Sequence, residues 1–263
     1  MKIQLSDHFT YKRLLRFVLP SVLMMVCTSL YSIVDGFFIS NYAGKTAFAA
    51  VNLMAPVLMG TSTVGFMIGT GGSAIVSEKF GEGKKDEANG DFSFLIYFLI
   101  GLSLGLGLIG FFMTPAIAFW LGAEGEFQED CILYGRILFI GLPFFTLQVA
   151  FQSFFVVAEK PNWSFFVNLG AGLTNALLDY LFIGVAGAGL EGAAIASVIG
   201  QMIGGLVPIV YFARKNASIL HLGKPHCSWG VLGHACSNGS SEMVSDLASS
   251  LVSIFYNHQL LLL

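Results

Sequence analysis

Six apolar runs, each long enough to cross a bilayer, follow one another through the first 213 residues of this chain, and a seventh opens near residue 240. A helix needs about 20 predominantly apolar residues to span the hydrocarbon layer. The runs cover residues 14–40, 46–76, 92–121, 131–158, 163–183 and 190–213. Only 11% of the residues are charged, against roughly 25% in soluble domains. A soluble core of this size has no room for six such runs. The expected fold class is all-α, a polytopic membrane helix bundle.

The expected organisation follows from these runs. Residues 1–13 form a cytoplasmic N-terminus, 14–213 a six-helix transmembrane unit, 214–239 a cytoplasmic linking loop, and 240–263 the start of a seventh transmembrane helix. The chain stops inside the apolar run 259–263, which reads as a truncation. The first span follows Lys12, Arg13 and Arg16 with no small-residue cleavage site behind it. It reads as a retained span rather than a signal peptide.

Lysine and arginine set the orientation, because they accumulate in cytoplasmic loops. With a cytoplasmic N-terminus, the inside loops hold Lys2, Lys12, Arg13, Arg16, Lys79, Lys84, Lys85, Lys160, Arg214, Lys215 and Lys224. The outside loops hold Lys45, with Arg136 ambiguous near the outer end of the fourth span. The acidic stretch from Glu124 to Asp130 then lies outside.

Several function classes are excluded or disfavoured. A net charge of −3 suggests no nucleic-acid partner. Cys27, Cys131, Cys227 and Cys236 show no C-x-x-C spacing, and the five histidines show no ligand spacing. No G-x-x-x-x-G-K-[ST] loop is present, so the chain carries no ATPase of its own. No residue set suggests an enzyme or a bound cofactor.

The residues that carry chemistry are charges where charges are costly. Within the six runs, Asp35 and Asp179 are the acids well away from loops. An ionisable residue at depth costs roughly 2.5–3.5 kcal/mol on insertion scales and usually faces a cavity or an ion path. Counted from the inside, Asp35 lies roughly 30 Å along the first span and Asp179 roughly 25 Å along the fifth. Asn175 stands four residues before Asp179, on the same helix face, and Ser197 enters the sixth span at a comparable depth. Asp35, Asn175, Asp179 and Ser197 are an all-oxygen set, the ligand chemistry of a hard cation such as Na⁺. Alternatively, two acids in a low dielectric share a proton, since desolvation and like charge both disfavour double ionisation.

A second set, Tyr31, Tyr134, Gln148, Gln152, Asn168 and Gln201, either lines an amphipathic cavity or forms hydrogen bonds between helices. Pro20, Pro56, Pro143 and Pro208 fall inside spans, where proline kinks a helix as a static bend or a hinge. Gly101, Gly105, Gly107, Gly170, Gly172, Gly200, Gly204 and Gly205 read as helix-packing positions. Glu242 and Asp246 open the seventh run and read as part of a cytoplasmic mouth.

The segment from Pro20 to Gly44, P-S-V-L-M-M-V-C-T-S-L-Y-S-I-V-D-G-F-F-I-S-N-Y-A-G, resembles the first helix of the multidrug and toxic compound extrusion (MATE) transporters. A-F-A-A-V-N-L-M-A-P after it, T-N-A-L-L-D in the fifth span and E-G-A-A-I-A-S entering the sixth fit the same family, most closely its DinF-like branch. The resemblance implies the six-helix N-lobe of a two-lobed transporter with a truncated seventh helix and a missing C-terminal lobe. It implies a multi-pass plasma-membrane protein that exports amphipathic, often cationic drugs by alternating access, with Na⁺ or H⁺ as the coupling ion and no other cofactor. Asp35 is then the first-helix acid tied to drug release, with Asn175, Asp179 and Ser197 as its partners at a cation site that accepts Na⁺. Pro20 is the hinge of the first helix, and Tyr31, Tyr134 and Gln152 face the substrate cavity. Rival readings are a lipid-linked oligosaccharide flippase of the same superfamily, an inactive fragment, and a seven-helix receptor. The flippase needs arginines to meet pyrophosphate, and the receptor needs an outside N-terminus.

Overall fold

The computed structural model describes residues 11–214 and 218–261. Lys2 and Lys215, which entered the orientation argument, lie outside the described residues, as do the side chains of Lys12, Arg13 and Arg16. The regular elements of the described chain are all helices, with no strand among the described residues.

Helix α1 spans Tyr11–Phe38 and passes without a break through Pro20. It continues into a π-helical turn, Ile39–Ala43. Helices α2 (Lys45–Gly81), α3 (Lys85–Trp120) and α4 (Gly125–Val157) follow. Helix α5 spans Pro161–Asp179 and runs into a second π-helical turn, Tyr180–Val185. Helices α6 (Gly189–Ala213) and α7 (Trp229–Leu261) complete the set. The first six are long and apolar enough to cross a membrane, and the chain is a multi-pass membrane protein.

Helix ends differ from the hydropathy reading in one direction. The stretch 77–91 expected as a loop is helical except around residues 82–84, where Gly83 turns the chain at φ 80°. The stretch 122–130 is helical from Gly125 onward. The linking loop ends at residue 228, because α7 begins at Trp229 rather than near residue 240. Hydropathy marks the part of a helix that lipid must cover, whereas polar end turns are helical without being apolar. Helix α7 is too polar to count with the six apolar spans. Its Ser237, Ser240, Ser241, Glu242, Ser245 and Asp246 crowd about three turns.

Two apolar clusters hold the bundle. One centres on Phe92, Phe151, Phe154, Phe155 and Phe212, where the Phe92 ring meets Phe154 at 4.8 Å and Phe212 at 5.3 Å, both edge to face. The other gathers Ile39, Met54, Tyr134, Phe139 and Ala193 near the opposite end. Helices α2 and α4 approach backbone to backbone. A β-carbon on Gly65 would stand 2.6 Å from the Thr146 carbonyl oxygen, and one on Gly69 2.8 Å from the Ala150 Cα. Small residues are what such an approach requires in a membrane, where packing rather than water expulsion holds helices together. Gly107, Gly200, Gly204 and Gly205 are packing positions of the same kind. Gly101, Gly105 and Gly170 are not, since open space surrounds them in this chain.

The linker lies across the first turns of α3. The backbone N–H of His221 donates to Asn89 Oδ1 (2.7 Å), that of Gly223 to Ser93 Oγ (2.9 Å) and that of His226 to the Gly90 carbonyl (3.1 Å). Asn89 and Ser93 are one turn apart, so a single polar stripe on α3 straps the linker down. Helix α7 then packs along α2.

Candidate functional site

Helix α1 sits at the edge of the bundle and packs mainly on α5. That contact places Asp35 opposite Asp179. The two carboxyl groups come within hydrogen-bonding reach of each other. Asp179 is fully buried and Asp35 partly so. One turn below Asp35, Tyr31 lies over Gly172 of α5, with its ring 3.6 Å from where a β-carbon would stand. The Tyr31 hydroxyl reaches the Ser197 hydroxyl. Asn175 Nδ2 donates to Ser197 Oγ at 3.3 Å. Tyr134 of α4, buried, closes the cluster on the fourth side beside both acids. Asp35, Asp179, Asn175, Ser197, Tyr31 and Tyr134 thus form one constellation from four helices.

The donor balance of this constellation is the main chemical fact. Asp35 Oδ1, both carboxylate oxygens of Asp179 and Asn175 Oδ1 are buried and have no hydrogen-bond partner. The Asn175 amide N–H is committed to Ser197, and its oxygen is left unmatched. With both acids ionised, nothing present donates to these oxygens, and the Asp35–Asp179 contact is a repulsion. It becomes a hydrogen bond when one acid carries a proton. Buried unsatisfied oxygens are costly, so the site has room in its chemistry for one proton or one small hard cation. No group of three or more His, Cys, Asp and Glu that would hold a transition metal lies among the described residues.

Both acids stand within about one turn of a change of helix geometry. Asp179 is the last residue of α5 before its π turn, and Asp35 precedes the π turn of α1 by one turn of helix. The two π turns touch each other and α6. Insertions of this kind concentrate at functional sites because they re-aim neighbouring side chains. No residue pattern in the sequence announced them.

Gln152 does not join this constellation. It lies on α4 roughly 27 Å from Tyr134, at 1.5 Å per residue. There it forms a second polar group with Gln148 and Asn168. Gln148 Nε2 and Gln152 Nε2 both donate to Asn168 Oδ1, at 2.9 and 3.2 Å, and Asn168 Nδ2 donates to the Ser164 carbonyl. Gln148 is seated against Gly204 of α6, and Gln201 of α6 against Gly141 of α4, each glutamine filling the space of a missing side chain. Gln201 Oε1 is buried and unpartnered. Of the polar residues expected to line a cavity, Tyr31 and Tyr134 therefore belong with the acids, and Gln148, Gln152 and Asn168 with one another.

A half-buried ion pair escaped the sequence reading. Asp91, placed at the end of a loop by hydropathy, is fully buried in α3 and paired with Lys79 of α2. Lys79 also meets Glu87 at 3.4 Å. The signal was hidden because both partners lie at helix ends that hydropathy treats as loop.

The MatE family profile matches residues 20–181, which include Pro20, Tyr31, Asp35, Tyr134, Asn175 and Asp179. The multidrug export protein MepA of Staphylococcus haemolyticus (strain JCSC1435) is 28% identical over 209 residues, covering 80% of this chain and 46% of that protein. The chain thus spans about half the length of the curated relatives it matches. Among solved structures, one described as the inward-facing conformation of a multidrug resistance MATE family transporter of the MOP superfamily superimposes with a TM-score of 0.82. It shares 23% identity and covers 88% of this chain and 52% of its own. Another, named only protein A, reaches a TM-score of 0.90 at 26% identity, covering 99% of this chain, α7 included, and 59% of its own. With more than half of its residues matched by the family profile, and with the helical fold of solved relatives, this chain belongs to the MatE family of transporters, which are not enzymes.

Proposed function

We propose that this chain is the ion-coupling lobe of a cation-driven exporter of amphipathic, often cationic drugs. The observation that carries the reading is the contact of Asp35 with Asp179, where buried oxygens of both acids, and that of Asn175 bonded to Ser197 nearby, lack donors. One proton turns the Asp35–Asp179 contact into a single O–H···O bond and one Na⁺ can be ligated by several of these oxygens; departure of either leaves two carboxylates facing each other. Occupancy therefore changes the energy of the α1–α5 contact, which is what a coupling site must do. Asp35, Asn175, Asp179 and Ser197 hold the ion in this account, and Na⁺ is written as transported substrate rather than cofactor. Each entering charge gains about 2.3 kcal/mol per 100 mV of membrane potential. Drug leaves as the lobes alternate between inward and outward states. Pro20 serves as the hinge of α1, Tyr31 and Tyr134 border the ion site and the drug cavity, and Gln152 lines the cavity further in.

The names of the MepA relatives support multidrug export as the activity. The distribution of lysine and arginine supports a cytoplasmic N-terminus, and the family resemblance supports the plasma membrane. The segments at 20–44 and 174–179 support a place in the DinF-like branch. Arg136 is exposed on the outside of α4, which speaks against a cavity built for pyrophosphate.

The test is gradient-driven export by the complete transporter in proteoliposomes. Asp35→Asn and Asp179→Asn keep shape and remove charge. Each should abolish export driven by an imposed Na⁺ or H⁺ gradient while protein level and helix content stay normal. The double change should cost little more, since residues acting as a unit are non-additive. Normal pumping by both single variants overturns the assignment.

A further inference from the structure

Arg136 is the charge that the ion-coupling account leaves unused. It lies about three turns into α4, roughly 16 Å from the start of that helix at Gly125. Phe111 of α3 lies at the matching level, roughly 13 Å from the end of its helix at Trp120. Arg136 is exposed, forms no salt bridge among the described residues, and holds its guanidinium carbon 5.3 Å from the centroid of the Phe111 ring. A ring face offsets only part of the cost of an arginine at membrane depth.

The guanidinium stands in a groove of about 300 Å³ between α3 and α4. Phe111, Leu133, Ile137 and Ile140 supply its apolar walls, and Glu129 stands at its rim. Leu133 and Ile140 are exposed on the outside of the bundle, where acyl chains run. Side chains on a helix lean toward its N-terminus, so Arg136 reaches from the apolar part of the groove toward Glu129, two turns nearer the helix start. Glu124, Glu126 and Asp130 gather at the same end. The groove thus presents, in order, an apolar channel, a cation and an anionic rim.

We propose that this groove binds one aminophospholipid of the leaflet that meets the α3–α4 turn. One acyl chain lies along Leu133, Ile137 and Ile140. The phosphate pairs with Arg136, whose planar fork matches phosphate oxygens. The ammonium faces Glu129 and the acidic rim. The headgroup is phosphatidylethanolamine rather than phosphatidylglycerol, because the rim attracts an amine and repels a net negative headgroup. A choline headgroup supplies positive charge but no N–H donor for Glu129. The site is independent of the coupling ion and of which side of the membrane the loop faces.

The full chain, purified in detergent and stripped of lipid, would be titrated with phosphatidylethanolamine, phosphatidylglycerol and phosphatidylcholine, with bound lipid counted by native mass spectrometry. Wild type should retain phosphatidylethanolamine about tenfold better than the other two. Arg136→Gln should remove that preference with unchanged circular dichroism, and Arg136→Lys should restore part of it. Glu129→Gln should narrow the gap between ethanolamine and choline while phosphate-dependent retention survives. Equal retention of all three lipids by wild type, a preference for phosphatidylglycerol, or wild-type retention by Arg136→Gln would each overturn the assignment.

Discussion

Substituting alanine for Gly239 should split α7 from α2. A β-carbon at that position would stand 2.0 Å from the Met67 carbonyl oxygen, 2.7 Å from its carbonyl carbon and 2.8 Å from its Cα. These are backbone atoms of a continuous helix and cannot rotate away. Ordinary contact begins near 3.4 Å, so the helices must part by at least about 1.4 Å at this level. A gap of 0.5–1 Å already forfeits a quarter to a half of a dispersion contact. The parting also strips the contact at Gly71, whose own β-carbon would stand 1.9 Å from the Ala235 carbonyl oxygen. Overpacking costs about 1–3 kcal/mol, here at the upper end because backbone meets backbone. Alanine returns roughly 1 kcal/mol in helix propensity. The net loss is about 2 kcal/mol, roughly a thirtyfold shift in the docking equilibrium.

The assay follows from the same seam. A β-carbon at Gly60 would lie 3.5 Å from the Ser250 Cβ, within the range that a disulfide bridges. In a cysteine-free background, Gly60→Cys with Ser250→Cys should cross-link readily, and adding Gly239→Ala should slow cross-linking and lower the melting temperature. Gly233→Ala on the same helix is the control, since nothing stands within 4 Å of its β-carbon position. Equal cross-linking and melting for Gly239→Ala and Gly233→Ala would refute the backbone-contact reasoning.

Two further outcomes are expected. In a cysteine-free background, a membrane-impermeant thiol reagent added outside should modify a cysteine at Glu126 and spare one at Lys84; the opposite labelling reverses the orientation. Pro20→Ala in the complete transporter restores a donor to the Arg16 carbonyl and should slow export at normal expression, whereas unchanged export makes the proline a static feature of a continuous α1.

The two acids and the shared Asn175–Asp179 face were legible in the sequence because insertion energy and helical period are local properties. Facing partners were less so. Nothing in the spacing of Tyr134 tells that it packs beside Asp35, or that Gln152 points instead to Asn168, since both depend on how α4 rotates against α5 and α6. The sequence reading put both in one cavity, although the 18 residues between them on one helix, roughly 27 Å, were enough to part them. The glycine positions show the same limit: Gly204 and Gly101 look alike in sequence, yet one seats Gln148 and the other faces open space. The π turns after Asp35 and Asp179 left no compositional mark, because hydropathy does not register one extra residue per turn. The Lys79–Asp91 pair was lost to the rule that charges near span ends belong to loops.

The central claim is that Asp35 and Asp179 together hold one transported cation. Equilibrium binding of isotopic Na⁺ and drug-induced proton release, measured on the purified complete transporter, test it without reliance on turnover. The account predicts one cation per transporter at this site, displaced on drug binding, and lost in Asp35→Asn and in Asp179→Asn while the protein stays folded. Wild-type cation stoichiometry in the double variant Asp35→Asn/Asp179→Asn would contradict it.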